Sequence, residues 1–285
     1  MASIRKKRET ALEKATYIIK PFVIYLVMKT VALVGLSLLI STLPIGGLEN
    51  LGNQLNAVIN AVASIIGVSF VLRDFVTEID TKGEVLFDVS VWKQLGNCMK
   101  KGFQNCKEKG IQIGASISLG LTASLFLNGL LVRLSLTSEK YDKVEEIQYS
   151  VPIWLGILLY GLISPVVEEI VFRGLTYHRM RRFFGIPACV IVSALLFGGF
   201  HANLPQFIYG TAMGMLMALC YEWADTFAAP LVFHMAANVL IFLLSGLPQV
   251  GESVVTTTAL IVFGVLSAGL MAVIWKMGGS EQRNL

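Results

Sequence analysis

Long stretches without a charged residue limit most strongly how this chain can fold. Five segments contain no Lys, Arg, Asp or Glu: residues 110–132, 147–167, 183–221, 226–251 and 253–275. A helix needs about 20 apolar residues to cross the hydrocarbon core of a bilayer, and each of these segments is long enough. We therefore predict an all-α, polytopic membrane protein.

The number of spans follows from where the apolar stretches break. The 183–221 stretch is long enough for two helices, and Asn203 and Pro205 in "HANLPQ" supply a turn between them. Upstream, residues 17–45 and residues 53–72 are also apolar, although Asn and Gln are scattered through the second of them. The sequence predicts about eight transmembrane helices in one bundle.

The basic residues predict the orientation of these helices. They cluster in the N-terminal segment, in residues 73–109 and in residues 173–182, which an eight-span topology puts on one side. Short cytoplasmic loops are enriched in Lys and Arg, so this side and both termini are expected to be cytoplasmic. The net charge of +4 is explained in this way and indicates no nucleic-acid partner.

The chain divides into two parts. Residues 1–110 are expected to form an N-terminal two-span region with a cytoplasmic amphipathic segment, and residues 111–285 a membrane-embedded core with its polar motifs within 150–245. Val91–Lys109 mixes apolar and basic residues, which favours either an amphipathic helix at the cytoplasmic interface or an ordinary solvated loop.

Polar and ionisable residues interrupt the apolar stretches of the second half in three short patterns. These are "EEIVFR" with Glu168, Glu169 and Arg173, "FGGFH" with Phe197 and His201, and "HMAAN" with His234 and Asn238. An ionisable side chain in a membrane span is costly unless it faces protein or a water-filled cavity, so each is a candidate functional residue. We expect the three patterns to meet in one cavity.

Helix geometry gives the two adjacent glutamates different positions. Residues four apart stack on one face of a helix, which predicts an ion pair between Glu169 and Arg173. Adjacent residues diverge by about 100°, so Glu168 points along another face as the free carboxylate. Phe197 is interpreted as packing beside the site.

A carboxylate, two imidazoles and a carboxamide are suited to peptide hydrolysis by water. Glu168 is a candidate general base, His201 and His234 are candidates to share the water, and a neutral histidine with Asn238 can donate hydrogen bonds to an oxyanion. The alternative is a divalent metal such as zinc bound by Glu168, His201 and His234, with the metal-bound water attacking. No HExxH pattern occurs, and the four cysteines form no CxxC pair.

These patterns resemble a known family, the CAAX protease and bacteriocin-processing (CPBP, or Abi) intramembrane endopeptidases, which include the type II CAAX prenyl endopeptidases. The family pattern is EExxxR, FxxxH and HxxxN on successive helices, and this chain matches all three over roughly residues 150 to 245. The resemblance implies that Glu168 and His201 activate the water and that His234 and Asn238 form the oxyanion site. It also implies that Glu169 and Arg173 hold structure, that residues 111–285 form a protease core, and that its active site lies inside the helical bundle.

The resemblance implies an intramembrane endopeptidase that cuts near the cytoplasmic face of a bacterial cell membrane. Its substrate would be a CAAX-like peptide, a pheromone or bacteriocin precursor, or a membrane protein. The lipid bilayer would surround the enzyme as its second partner. The alternative is a non-proteolytic scaffold or bacteriocin-immunity factor that acts by binding a partner. A transporter is disfavoured because the chain shows no internal repeat.

Overall fold

The computed structural model describes residues 10–42, 52–79, 109–136, 138–247 and 255–282, and these residues form helices and turns without any strand. The helices, in chain order, are α1 (Ala11–Ser41), α2 (Gly52–Ser69), α3 (Leu72–Ile79), α4 (Gly110–Arg133), α5 (Glu139–Tyr149), α6 (Ile153–Met180), α7 (Ile186–Phe200), α8 (Leu204–Ala224), α9 (Ala228–Ser245) and α10 (Thr257–Gln282). The predicted all-α class is confirmed.

Several of these helices are long and apolar enough to cross a membrane. Within the described ranges there are five, namely α1, α4, α6, α9 and the Thr257–Gly278 part of α10, or six if α2 and α3, bent by 55° at their junction, make one span. The chain is therefore a multi-pass membrane protein. The other two predicted spans correspond in position to α7, which is apolar but shorter, and α8, so the count of eight stays a prediction.

Helix α6, which carries the two glutamates, widens on either side of them. Ile157–Ile163 and Ile170–Tyr177 have π-helical hydrogen bonding, and the α-helical turn Ser164–Glu169 lies between them. Pro165 in this turn has no N–H to donate to the preceding turn, which favours a local departure from α-helical bonding. The glutamates thus occupy a short regular turn between two wider segments, a type of helix irregularity that is frequent at functional sites.

The turn between α7 and α8 forms where Asn203 and Pro205 predict it. The side chain of Asn203 caps α8 by accepting a hydrogen bond from the backbone N–H of Gln206, and Pro205 lies in the first helical turn. Ala202 has a positive φ of 57°, which reverses the chain directly after His201. This turn holds His201 at the end of α7.

The first helix packs against the second half of the chain rather than standing apart from it. The ring of Phe22 lies 5.4 Å from that of Phe172, and Tyr25, which is 1% exposed, lies 6.2 Å from Phe200. The proposed division at residue 110 stays a prediction. The segment Val91–Lys109 lies outside the described residues, apart from Lys109 itself.

Charged residues join several helices at one end of the bundle. Glu78 of α3 accepts hydrogen bonds from Tyr17, at 2.7 Å, from Arg179, at 3.0 Å, and from Arg182. Lys109, before α4, pairs at 3.2 Å with Asp225, after α8. We call this the basic end, defined by Arg179, Arg181, Arg182 and Lys109; the opposite end, which carries α5, is the α5 end.

Candidate active site

A cavity of about 320 Å³ lies between α5 and the three sequence patterns. Five of the pattern residues line it: Glu168, Phe197, His201, His234 and Asn238. Its other walls come from α4, α5, the first half of α6, α8 and α9. The structure therefore brings the three patterns to one space, whereas Glu169 and Arg173 lie behind its wall.

Glu168 presents a partly restrained carboxylate to this cavity. The hydroxyl of Ser164, one turn earlier, donates a hydrogen bond of 2.5 Å to Oε1 of Glu168. The other oxygen, Oε2, lies 3.8 Å from Nε2 of His234. The glutamate is only 9% exposed, so one carboxylate oxygen is fixed by Ser164 and the other faces the cavity beside an imidazole.

Glu169 is completely buried and links two of the patterns. Its Oε1 lies 2.8 Å from a guanidinium nitrogen of Arg173 and 2.9 Å from Nδ1 of His234. Arg173 is also fully buried, donates to the carbonyl of Gly214 at 3.1 Å and stacks 4.6 Å from the centre of the Phe197 ring. The ion pair is present at the predicted spacing, and the same carboxylate also orients His234.

Not every polar atom of this buried cluster has a partner. Oε2 of Glu169 and Nε of Arg173 make no hydrogen bond within the described part of the protein. A buried charged group with an unsatisfied atom is costly, so the cluster depends on the bonds it does make. Loss of either partner would leave the other charge in a low-dielectric interior.

His201 is held by its own helix. Its Nδ1 lies 3.0 Å from the carbonyl oxygen of Phe197, one turn earlier, and because a carbonyl only accepts, Nδ1 carries the proton. In the neutral ring Nε2 is then an acceptor. The aromatic rings of Phe197 and Phe200, 5.3 Å and 5.8 Å from the imidazole, fix its orientation.

Asn238 is fixed by a backbone group of α6. Its side-chain nitrogen donates a hydrogen bond of 3.0 Å to the carbonyl oxygen of Tyr160. A carboxamide nitrogen has two N–H groups, so one remains available to the cavity. Asn238 and His234 lie one turn apart on α9, as their spacing predicts, and both line the cavity.

The same donors are arranged poorly for holding a metal ion. In the described ranges, no three His, Cys, Asp or Glu side chains are grouped closely enough to hold a metal ion. Oε1 of Glu168 is engaged by Ser164, and Nδ1 of His234 by Glu169. The residues Glu168, His201 and His234 thus do not form a metal centre in this arrangement, and no reaction step is derived through one.

The amphipathic helix α5 covers the cavity on the side away from the basic end. Tyr141, Val144, Gln148 and Tyr149 line the cavity together with Glu145 at the exposed rim. Partial desolvation and the charge of the neighbouring Asp142 raise the pKa of Glu145. The rim is therefore polar, as is the deep end of the cavity with Glu168 and His234, and apolar and aromatic side chains line the space between them.

A second contact ties α5 to the turn that follows His201. The ammonium of Lys140 donates a hydrogen bond of 2.7 Å to the carbonyl oxygen of Ala202, the residue that follows His201. This bond connects α5, which covers the cavity, to Ala202, the residue of positive φ that follows the end of α7.

Sequence reasoning missed three contributors to the site. Ser164 lies four residues before Glu168, so the spacing rule that pairs Glu169 with Arg173 contained a signal for it. The hydrogen bond from His234 to Glu169 and the cover formed by α5 join residues far apart in the chain. No pattern in a single sequence indicates such contacts.

Taken together, the geometry suits activation of a water molecule and stabilisation of negative charge in a shielded space. One carboxylate oxygen and two imidazole nitrogens face the cavity, and an amide N–H lies beside them. The donors are held by backbone carbonyls and by a buried carboxylate, so they are preorganised.

Comparison with known proteins agrees with this arrangement. Residues 150–240 match the family described as type II CAAX prenyl endopeptidase Rce1-like. The chain is also 26% identical over 236 residues to a protein of Bacillus subtilis (strain 168) named "Putative membrane peptidase YdiL", a match that covers 77% of this chain and 85% of that protein. No solved structure matches the chain significantly. The matched region contains all three patterns of the cavity, so over residues 150–240 the chain is similar to the type II CAAX prenyl endopeptidases, and over most of its length to a protein named as a membrane peptidase.

Proposed function

We propose that this protein is an intramembrane endopeptidase in which Glu168 activates a water molecule for direct attack on a peptide bond. The observation that carries the proposal is the convergence of Glu168, His201, His234 and Asn238 on one cavity within a helical bundle. No nucleophilic side chain from these three patterns is required. The protein named as a membrane peptidase supports the same class of reaction.

The water is held by two acceptors in this mechanism. Oε2 of Glu168 accepts one of its protons, and Nε2 of His201 accepts a hydrogen bond from the other. The water oxygen then attacks the peptide carbonyl carbon as its proton moves to Glu168. The tetrahedral intermediate collapses with cleavage of the C–N bond, and Glu168 returns the proton to the leaving amine.

The oxyanion of the intermediate is stabilised on the α9 side. Asn238 supplies its free side-chain N–H. Because Nδ1 of His234 bonds to Glu169, Nε2 donates to the oxyanion only when the ring is doubly protonated, and the carboxylate of Glu169 then balances the positive charge. Glu169 and Arg173 therefore position His234 and do not contact substrate.

The cleavage site is proposed to lie within the membrane. Glu168 lies near the middle of α6, and the cavity is covered by α5. Cleavage near the cytoplasmic face stays a prediction from the sequence; the cavity itself extends from Glu168 towards the α5 end. The basic end and both termini are proposed to face the cytoplasm of a bacterial cell.

The second candidate function is a scaffold or immunity factor that binds a partner without cleaving it. Such a role needs no polar cluster in a shielded cavity, and natural chains rarely keep costly buried charges without a use. The complete set of cavity-facing groups favours the protease.

Comparative peptidomics tests the proposal. Membranes and medium from cells that carry the wild-type chain or the Glu168→Ala variant are searched for new peptide termini. We expect a set of termini that depends on the wild-type chain and disappears in Glu168→Ala cells with equal amounts of protein. Identical sets of termini in both would leave the partner-binding function as the better account.

A further inference from the structure

We infer that the peptide substrate reaches the cavity from the extracytoplasmic side of the membrane, beneath α5, so that substrates are exported peptides or extracytoplasmic segments of membrane proteins. This inference rests on the proposed protease function. It assigns the side of access and thereby the class of substrate.

The lining of the cavity identifies its mouth. From the buried Glu168 and His234, the walls continue through Tyr160 and Gln206 to the residues of α5. Glu145 is exposed, whereas the other residues that line the cavity are buried or half-buried. No residue of the basic end lines the cavity in the part of the chain that the structure describes. A polypeptide therefore reaches Glu168 from the α5 end.

The opposite route is closed by the core. Phe172, Leu175 and Phe233 lie between Glu168 and the basic end along α6 and α9, and each is 0% exposed. Beyond them, Arg181 pairs with Glu222 at 2.9 Å and Arg179 with Glu78 at 3.0 Å. An extended peptide cannot pass this packed layer without breaking buried contacts, which are dense in protein interiors.

Charge places the α5 end outside the cytoplasm. The basic end carries Arg179, Arg181, Arg182 and Lys109 on short connections. The segment 138–150 at the other end has two lysines and four acidic residues. Short loops rich in Lys and Arg stay in the cytoplasm, so the mouth of the cavity faces the other side.

This orientation limits what the enzyme can cut. A tail that approaches from the cytoplasm meets the packed basic end, whereas a segment already translocated reaches the mouth directly. The scissile bond must lie in an extended stretch long enough to pass beneath α5. Exported precursor peptides and the outer ends of membrane helices meet this condition.

Cysteine accessibility tests the inference without requiring any activity. The native cysteines are replaced by alanine, and one cysteine is introduced by Gln148→Cys at the mouth or by Phe184→Cys at the basic end, where Phe184 is 47% exposed. Lys143→Cys on the outer face of α5 is a second reporter in case Gln148→Cys lowers protein abundance. Intact cells, and then permeabilised cells, are treated with a membrane-impermeant maleimide.

We expect Gln148→Cys and Lys143→Cys proteins to be labelled in intact cells and the Phe184→Cys protein only after permeabilisation. The reverse pattern overturns the inference. Continuity with the catalytic site is tested with Ser164→Cys and a small charged thiosulfonate. Reaction in intact cells supports access from outside, and reaction only in inside-out vesicles overturns it. Neither result depends on proteolysis, so the inference and the protease function fail or stand separately.

Discussion

Oε1 of Glu169 lies 2.9 Å from Nδ1 of His234 and 2.8 Å from Arg173, so one buried carboxylate oxygen joins two patterns that are 65 residues apart in the chain. The pair of adjacent glutamates is thereby divided between two environments. Glu168 faces the cavity, and Glu169 holds the imidazole of His234 beside it. Substitution of Glu168 is therefore expected to affect activity, and substitution of Glu169 to affect stability.

The Glu169→Gln variant is expected to be less stable than the wild type. It leaves the charge of Arg173 buried without a partner, and breaking a buried ion pair in this way costs about 3–5 kcal/mol. The melting temperature in detergent should fall for Glu169→Gln and stay unchanged for Glu146→Gln, an exposed control on α5. Adding Arg173→Met to Glu169→Gln should recover part of the loss. A melting temperature equal to that of the wild type would show that the pair contributes nothing.

The Asn238→Ala variant should lose turnover more than substrate affinity. An oxyanion donor acts mainly on the transition state, and losing one lowers kcat by about 100-fold to 1000-fold. Michaelis kinetics on a peptide identified by peptidomics will separate kcat from KM. A rise in KM with kcat preserved would instead assign Asn238 to substrate binding.

Two adjacent glycines on α7 allow a controlled test of how closely α7 packs against α8, because only one of them lies at the contact. A Cβ at Gly198 would lie 2.6 Å from the carbonyl oxygen of Phe207, whereas a Cβ at Gly199 would meet no atom within 4 Å. Overpacking costs about 1–3 kcal/mol, so Gly198→Ala should lower the melting temperature. Gly199→Ala should leave it unchanged or raise it, because alanine favours a helix by about 0.5–1 kcal/mol. Equal effects would contradict the close approach of the two helices.

The bond from Lys140 to Ala202 predicts a role for α5 in catalysis. Lys140→Met removes the bond that ties α5 to the turn after His201, and a net hydrogen bond of this kind corresponds to roughly a twofold to tenfold change in rate. We expect kcat to fall by this factor, and the melting temperature to fall by no more than the loss of one exposed hydrogen bond explains. Lys143→Met, at an exposed position of the same helix, should have wild-type kinetics. Identical kinetics for both variants would remove the proposed coupling.

Chemical reagents provide a further prediction about mechanism. Direct attack by water requires no serine or cysteine nucleophile, and Cys189 and Cys220 are both buried. Serine- and cysteine-directed reagents should therefore leave hydrolysis intact, and a protein with all four cysteines replaced by alanine should remain active. Complete inactivation by a serine-directed reagent that attaches to one residue would contradict the mechanism.

The helical class and the pairing of Glu169 with Arg173 could be predicted because both depend on local periodicity. Apolar length sets the helices, and a separation of four residues sets the pair. The break between α7 and α8 was also predictable from Asn203 and Pro205, whose turn and capping preferences are local.

The cover formed by α5 and the orientation of His234 could not be predicted in the same way. Both depend on how distant helices pack, which a single sequence does not encode in any short pattern. The π-helical turns on either side of Ser164–Glu169 are a related case, because helix spacing arguments assume regular turns. The spacing rule still held for Glu169 and Arg173, because the bond between them spans only one turn at the start of the wider segment.

The most direct test of the central claim is the rate of peptide hydrolysis by purified protein in lipid nanodiscs, with Glu168→Gln compared with the wild type and with Glu146→Gln. The substrate is a peptide that peptidomics identifies, and each protein is first shown to have the same melting temperature. Loss of a general base lowers the rate by about 100-fold to 10,000-fold, and we predict a loss of this size for Glu168→Gln alone. A Glu168→Gln protein that cleaves the peptide at the wild-type rate would contradict the assignment of Glu168 as the base that activates water.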